Sequence, residues 1–141
     1  MARSTKTDQL QEVPLFSSCT DKELAQIARA CDELSVEPGA LLVEEGTVGE
    51  DFYLIVSGEA EVVRGGHTVA TVGPGQYFGE LALLDQAPRN ATVTARTPMT
   101  LLRLRRREFS AVLDSWPGVA HKLLEHMARR LRRADEEAVT N

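Results

Sequence analysis

Nine of the ten glycines in this 141-residue chain lie between Gly39 and Gly79, and no other feature constrains the fold as much. Short runs rich in branched and aromatic residues fill the gaps: ALLVEE, DFYLIVSG, EAEVVRGG and HTVATVG, then ATVTA and MTLLRLR. Several alternate with period two, as in Glu59–Ala60–Glu61–Val62 and Leu102–Arg103–Leu104–Arg105, the mark of a half-buried strand. Gly65 and Gly66 in RGGH supply the backbone freedom of a tight hairpin turn. Short strands at regular spacing with glycine turns predict a mainly β fold, an eight-stranded jelly-roll barrel, over residues 35–105.

Helix periodicity flanks this region. In residues 17–34, Leu24, Ile27, Ala28, Cys31 and Leu34 recur at three- and four-residue steps. Thr20 followed by Glu23 has the spacing of a capping box and marks a helix start. Residues 107–138 predict a short helix stopped near Trp116–Pro117–Gly118, then a longer one. Along the longer helix Ala120, Leu124, Met127, Leu131, Ala134 and Ala138 form a narrow a/d-like seam. Two readings of the seam stay open: packing on its own domain, or a homodimer joined through the C-terminal helix. The whole chain, 1–141, is read as one domain.

Composition narrows the class. Hydrophobic residues make up 43% and charged residues 26%, ordinary for a globular protein. The longest apolar runs, FYLIV and LALL, fall far short of the roughly 20 residues of a membrane span, and the N-terminus lacks the apolar stretch of a secretory signal. Cys19 and Cys31 form neither a CxxC nor a disulfide framework and read as small buried side chains, consistent with a cytoplasmic protein. Net charge is −5. Residues 1–95 are strongly acidic and residues 96–141 basic, which argues against general nucleic-acid affinity.

No catalytic constellation emerges. His121 and His126 are five apart, which does not align two ligands on one helical face. His67 stands alone beside a turn, and neither HxH nor HExxH occurs, so no metal site is expected. Glu44 and Glu45 are adjacent in an expected strand and point to opposite faces, a poor acid–base pair. The chain is not expected to be an enzyme.

One stretch carries a binding signal: YFGELALLDQAPRNATV, residues Tyr77 to Val93. Gly73, Gly75 and Gly79 permit close backbone approach. A short helical turn over ELALL leaves its first N–H groups without intrahelical partners, a place for an anion. Arg89, nine residues after Glu80, can fold back with two parallel N–H bonds to a phosphate, beside the N–H groups of Leu81 and Ala82. Glu80 only accepts, so it needs a donor such as a ribose 2′-hydroxyl. A phosphate and a ribose hydroxyl side by side describe a cyclic nucleotide. A salt bridge between Glu80 and Arg89 inside a turn fits the same residues, and composition leaves both readings open.

FGELALLDQAPRNATV closely resembles the phosphate-binding cassette, residues 78–93, of the cyclic nucleotide-binding domain family. That family includes the regulatory subunits of cAMP-dependent protein kinase and the catabolite activator protein. The pattern from Gly46 to Val63 and the closing MARRL helix follow in the family order, so the resemblance covers nearly the whole chain. It implies a barrel with an N-terminal helix and C-terminal lid helices that move on binding a cyclic mononucleotide: cAMP, with cGMP as the alternative, and no further cofactor. It assigns Glu80 to the ribose, Arg89 to the phosphate, and Phe78, Gly79, Leu81, Ala82 and Ala91 to the surrounding frame. Asn90 replaces the alanine, serine or threonine common after the arginine, where threonine accompanies cGMP preference. Val62, Val69 and Val72 match the apolar pocket wall. The hydroxyl residues that touch adenine in bacterial activators are replaced by Ala134 and Asp135; Asp135 is read as an acceptor for the adenine amino group. Arg132 or Arg133 is read as a base-stacking cation, against a solvated face that also includes Arg129 and Arg130. The sequence has no residues past Asn141 for a helix-turn-helix, so direct DNA binding is not expected. The effector protein is left open, as is a ligand-independent interaction module.

Overall fold

The computed structural model describes residues 5–140; residues 1–4 and 141 of the expected domain lie outside it. The chain begins with α1 (Lys6–Gln11), a 3-10 turn (Pro14–Phe16) and α2 (Asp21–Ala30). Thr5 with Asp8, and Thr20 with Glu23, form reciprocal capping boxes that satisfy the first free N–H groups of α1 and α2. Five strands follow: β1 (Asp32–Val36), β2 (Leu41–Val43), β3 (Asp51–Ser57), β4 (Ala60–Arg64) and β5 (His67–Val72). Then come β6 (Tyr77–Phe78), α3 (Glu80–Leu84), β7 (Thr92–Ala95) and β8 (Met99–Arg105). Helices α4 (Arg106–Ser115) and α5 (Pro117–Thr140) close the chain.

The strands form two antiparallel four-stranded sheets, ordered β1-β8-β3-β6 and β2-β7-β4-β5. The fold is therefore mainly β with C-terminal helices, as expected. The expected closed barrel is corrected: among the described residues no strand pairs with both sheets. Tyr53, Ile55, Phe78 and Leu101 of the first sheet pack against Ala60, Val93 and Ala95 of the second. Phe52, Leu54, Leu102 and Leu104 point the other way, onto Leu24, Ile27, Phe109, Val112, Val119 and Leu123 of the helices. Strand β3 is thus buried on both faces, which explains its unbroken apolar run FYLIV. Strand β5 is exposed along nearly its whole length, an edge with one side left open. Gly65 and Gly66 take φ of 58° and 81° in the β4–β5 turn, a conformation that favours glycine.

Two helical expectations shift. The helix read over 17–34 is α2 alone, and residues 32–34 belong to β1. Leu34 satisfies both a three-residue step from Cys31 and a two-residue alternation; pairing with β8 decides, reinforced by Arg103 donating to Asp32 at 3.0 Å. At the other end, Pro117 sits at the first position of α5, where its missing N–H costs nothing. The buried face of α5 is Val119 and Leu123, with Met127 partly covered. Leu124 and Leu131 of the expected seam are 63% and 66% exposed. The side chain of Ala138 lies outside the described residues.

Candidate functional site

Strand β6 delivers the chain to Gly79, whose φ of +96° turns it into α3. A Cβ at Gly79 would stand 2.7 Å from Nη1 of Arg89 and 2.8 Å from the Asp51 carbonyl oxygen. A Cβ at Gly49 would stand 2.6 Å from the Ala82 Cβ and 3.1 Å from the Arg89 guanidinium carbon. Both glycines are therefore needed by volume, because the space a side chain would take is filled by the arginine.

Arg89 is 7% exposed. Its Nη1 donates to the carbonyl of Gly79 at 2.9 Å and its Nη2 to the carbonyl of Asp51 at 2.7 Å. Its backbone is pinned as well: its N–H donates to the Thr47 carbonyl and its own carbonyl accepts from Gly46, both at 2.8 Å. The loop leading to it is tight, with Asp85 accepting from the Ala87 N–H and Gln86 at φ +56°. Burial lowers the pKa of Arg89, while the fields of Tyr53 and Asp51 work against that shift. An arginine nonetheless stays charged. Among the described residues no carboxylate pairs with it, so a buried cation stands among neutral carbonyls. Such a group calls for an anion.

Glu80 is 3% exposed and does not pair with Arg89. It accepts from Nη1 of Arg130, on α5, at 3.0 Å. One strand back, the Tyr77 hydroxyl and Nδ1 of His126 are hydrogen-bonded at 2.8 Å, with the two rings stacked. The Arg130 guanidinium also lies over the Tyr77 ring. Burial, helped by Glu80, raises the pKa of Tyr77. Burial, with Arg129 and Arg130 nearby, lowers that of His126. For Arg130 burial opposes the charge, but the field and hydrogen bond of Glu80 outweigh it and the pKa is raised. Helix α5 is thus fastened over the cassette by the Arg130–Glu80 ion pair and by the contacts of His126 and Arg130 with Tyr77.

Between α5, the cassette and the open side of β4–β5 lies a cavity of about 780 Å³, within the roughly 300–1,000 Å³ of small-molecule sites. The sheet contributes Val62, Val69 and Val72. The cassette contributes Phe78, Gly79, Glu80, Leu81 and Ala82, and the closing segment Arg89, Asn90 and Ala91. Asn90 is exposed, and its carbonyl accepts from Nε of Arg64 at 3.0 Å. Asp135 is exposed and does not line the cavity, because it lies past the turn of α5 that faces the cassette. Arg133 lines it; Arg132 does not. Among the described residues no three His, Cys, Asp or Glu side chains are grouped to hold a metal ion.

Tyr77, His126, Arg130 and Gly49 escape the sequence reading as site residues. Arg129 and Arg130 read as a solvated face, yet both line the cavity. The available signal was spacing: His126 and Arg130 are four apart, so they share one face of a helix.

A family model for the cyclic nucleotide-binding domain matches residues 33–115. The chain is 44% identical over 106 residues to a cAMP-dependent protein kinase regulatory subunit of Yarrowia lipolytica, covering 74% of this chain and 28% of that one. It therefore spans under a third of that relative. Among solved structures, the catabolite activator protein of Thermus thermophilus superposes with a TM-score of 0.82 at 35% identity, covering 89% of this chain and 61% of that one. The regulatory domain of Toxoplasma gondii protein kinase A, solved with cAMP, gives 0.79 at 26% identity, covering 88% and 49%.

Proposed function

The chain belongs to the cyclic nucleotide-binding domain family, and from that premise we propose that it is a cAMP-binding regulatory module whose C-terminal helix responds to the ligand. The buried Arg89, charged and with no acid partner among the described residues, carries this reading. In the proposed complex Arg89 and the N–H groups of Leu81 and Ala82 take the cyclic phosphate. Glu80 accepts from the ribose 2′-hydroxyl. The base lies against Val62, Val69 and Val72 beneath α5, near Arg133. A mononucleotide of about 22 heavy atoms, at ~0.3–0.4 kcal/mol per atom, gives roughly micromolar affinity.

The same reading makes the chain a single binding domain rather than an enzyme, with the nucleotide as ligand rather than resident cofactor. It acts in the cytoplasm; no described helix is long and apolar enough to cross a membrane. Direct DNA binding is not part of it. Because Glu80 already holds Arg130, a ribose arriving at Glu80 meets α5 there, and the ligand shifts the position of that helix.

Parallel titration calorimetry with cAMP, cGMP and 5′-AMP tests the proposal. Saturable binding of cAMP in the micromolar range, tighter than 5′-AMP, is expected. No binding of either cyclic nucleotide at millimolar concentration would support the second reading, a ligand-independent interaction module. One observation favours an associating role in either case: Leu124 and Leu131 stand exposed one above the other on α5. Sedimentation of wild type and Leu124→Glu/Leu131→Glu distinguishes dimer from monomer.

A further inference from the structure

Arg106 opens α4 outside the cavity, yet its bonds end on the segment that holds Arg89. Its Nη2 donates to the carbonyl of Gly49, and its backbone N–H to the carbonyl of Glu50 at 2.8 Å. Its Nε lies 3.9 Å from the Glu50 carboxylate. The same segment also meets Arg89: the Asp51 carbonyl accepts from Nη2, and a Cβ at Gly49 would stand 3.1 Å from the guanidinium carbon. Gly49–Asp51 is therefore clamped between two arginines.

The two cations repel each other; the field of Arg106 lowers the pKa of Arg89. Arg106 is thus not a favourable electrostatic partner of Arg89, and any help it gives comes through geometry. A planar guanidinium fixes the Gly49 carbonyl it holds in direction as well as distance. If the Arg106 side chain is removed, the Gly49 carbonyl loses its donor and the segment gives at its glycine, which loosens the aim of the adjoining Asp51 carbonyl at the start of β3 without unpairing it from β8. Half of the cradle that aims Arg89 depends on that carbonyl. Since α4 runs through Trp116 into α5, this contact also ties the Arg89 end of the cavity to the helix whose Arg130 holds Glu80.

We infer that Arg106 is a positioning residue for the anion site, acting through Gly49–Asp51 on Arg89. The inference rests on the cAMP reading above. Its test is a double-mutant cycle, with cAMP and, as a probe lacking phosphate, adenosine titrated into wild type, Arg106→Ala, Arg106→Lys, Arg89→Ala and the Arg89→Ala/Arg106→Ala double variant. Arg106→Ala is expected to weaken cAMP about tenfold, ~1.4 kcal/mol, in the wild-type background. In the Arg89→Ala background the loss should shrink to about twofold or less. Adenosine affinity should not change, and lysine, which keeps the charge but not the fork, should restore part of the loss. An equal loss in both backgrounds, or a parallel loss of adenosine, would overturn the inference and leave Arg106 a purely structural residue. If the alanine variants do not fold, the same cycle run with lysine at position 106 and at position 89 carries the test, with the same opposing outcomes. Wild type that binds no cAMP overturns the cAMP reading itself; wild type that binds while Arg106→Ala binds equally well overturns this inference alone.

Discussion

Arg89 and Arg130 both reach the same cavity, but they are held in opposite ways. Arg89 is pinned by backbone carbonyls of two different elements and packed against two glycines. Arg130, on α5, is half exposed and held by side chains, the Glu80 carboxylate of the cassette and the Tyr77 ring. Backbone carbonyls cannot swing away without moving the sheet, whereas a side-chain ion pair can exchange its partner. On the proposed function, the cassette is therefore the fixed half of the site and α5 the releasable half. In physical terms, a rigid receptor for charge is coupled to a lid whose latch shares an acceptor with the proposed ligand.

The largest effect separating the two halves is expected from Arg89→Ala. Each charge-assisted bond to phosphate contributes ~1.5–3 kcal/mol, so cAMP affinity in calorimetry should fall more than tenfold while α5 stays in place. Unchanged affinity in a folded variant would remove Arg89 from the site. Next comes Arg130→Ala, which leaves Glu80 buried and unpaired. Breaking a buried pair costs up to ~3–5 kcal/mol, and the half-exposed arginine reduces this to about 1–2 kcal/mol. Denaturant melts should show that loss, and amide exchange should rise in α5 but not in β3 or β8. Exchange rising equally in the sheets would mean that the fixed and releasable halves are one unit.

Smaller is the pH effect at His126. Its pKa is lowered from 6.5 by burial, then by Arg129 and Arg130, so the unfolded chain binds its proton more readily than the folded one. Stability from this group is present above about 6.5 and is lost as pH falls through that value toward the lower folded pKa. Wild type should lose more melting temperature between neutral and mildly acidic pH than His126→Gln; parallel curves would exclude His126 as part of the latch. Smallest is Gln86→Gly. The left-handed backbone at Gln86 disfavours a side chain, and glycine should stabilise the cassette loop by less than ~1 kcal/mol after its greater unfolded-state entropy is counted. A destabilised variant would show that the Gln86 side chain holds the loop.

Much of the fixed half was legible because its residues lie close together in the chain. Gly79, the short helix over ELALL and Arg89 fall within one stretch, so spacing carries their geometry, whereas Gly49 and the Asp51 carbonyl come from a distant segment. The releasable half was not, since Glu80 and Arg130 are fifty residues apart and nothing in a run of arginines says which one meets a buried acid. A salt bridge to Glu80 was among the readings, but with Arg89, the arginine nearer in sequence. The seam on α5 divides: Leu124 and Leu131 satisfy the heptad pattern but stand exposed, whereas Met127 packs partly on the core and Val119 and Leu123, one position before Ala120 and Leu124, meet it fully. Periodicity reports that a helix has an apolar stripe, not which of two adjacent stripes the sheet covers. The double burial of β3 was visible in its unbroken FYLIV, whereas closure of the sheets depended on pairing that local pattern does not encode.

The central claim is that Glu80 and Arg89 serve separate edges of one ligand. Calorimetric titration of cAMP and 2′-deoxy-cAMP into wild type, Glu80→Ala and Arg89→Ala tests it most directly. Wild type should prefer cAMP, Glu80→Ala should lose that preference, and Arg89→Ala should weaken both ligands by the same factor while keeping it. A preference that survives in Glu80→Ala, or disappears in Arg89→Ala, would contradict the division of labour.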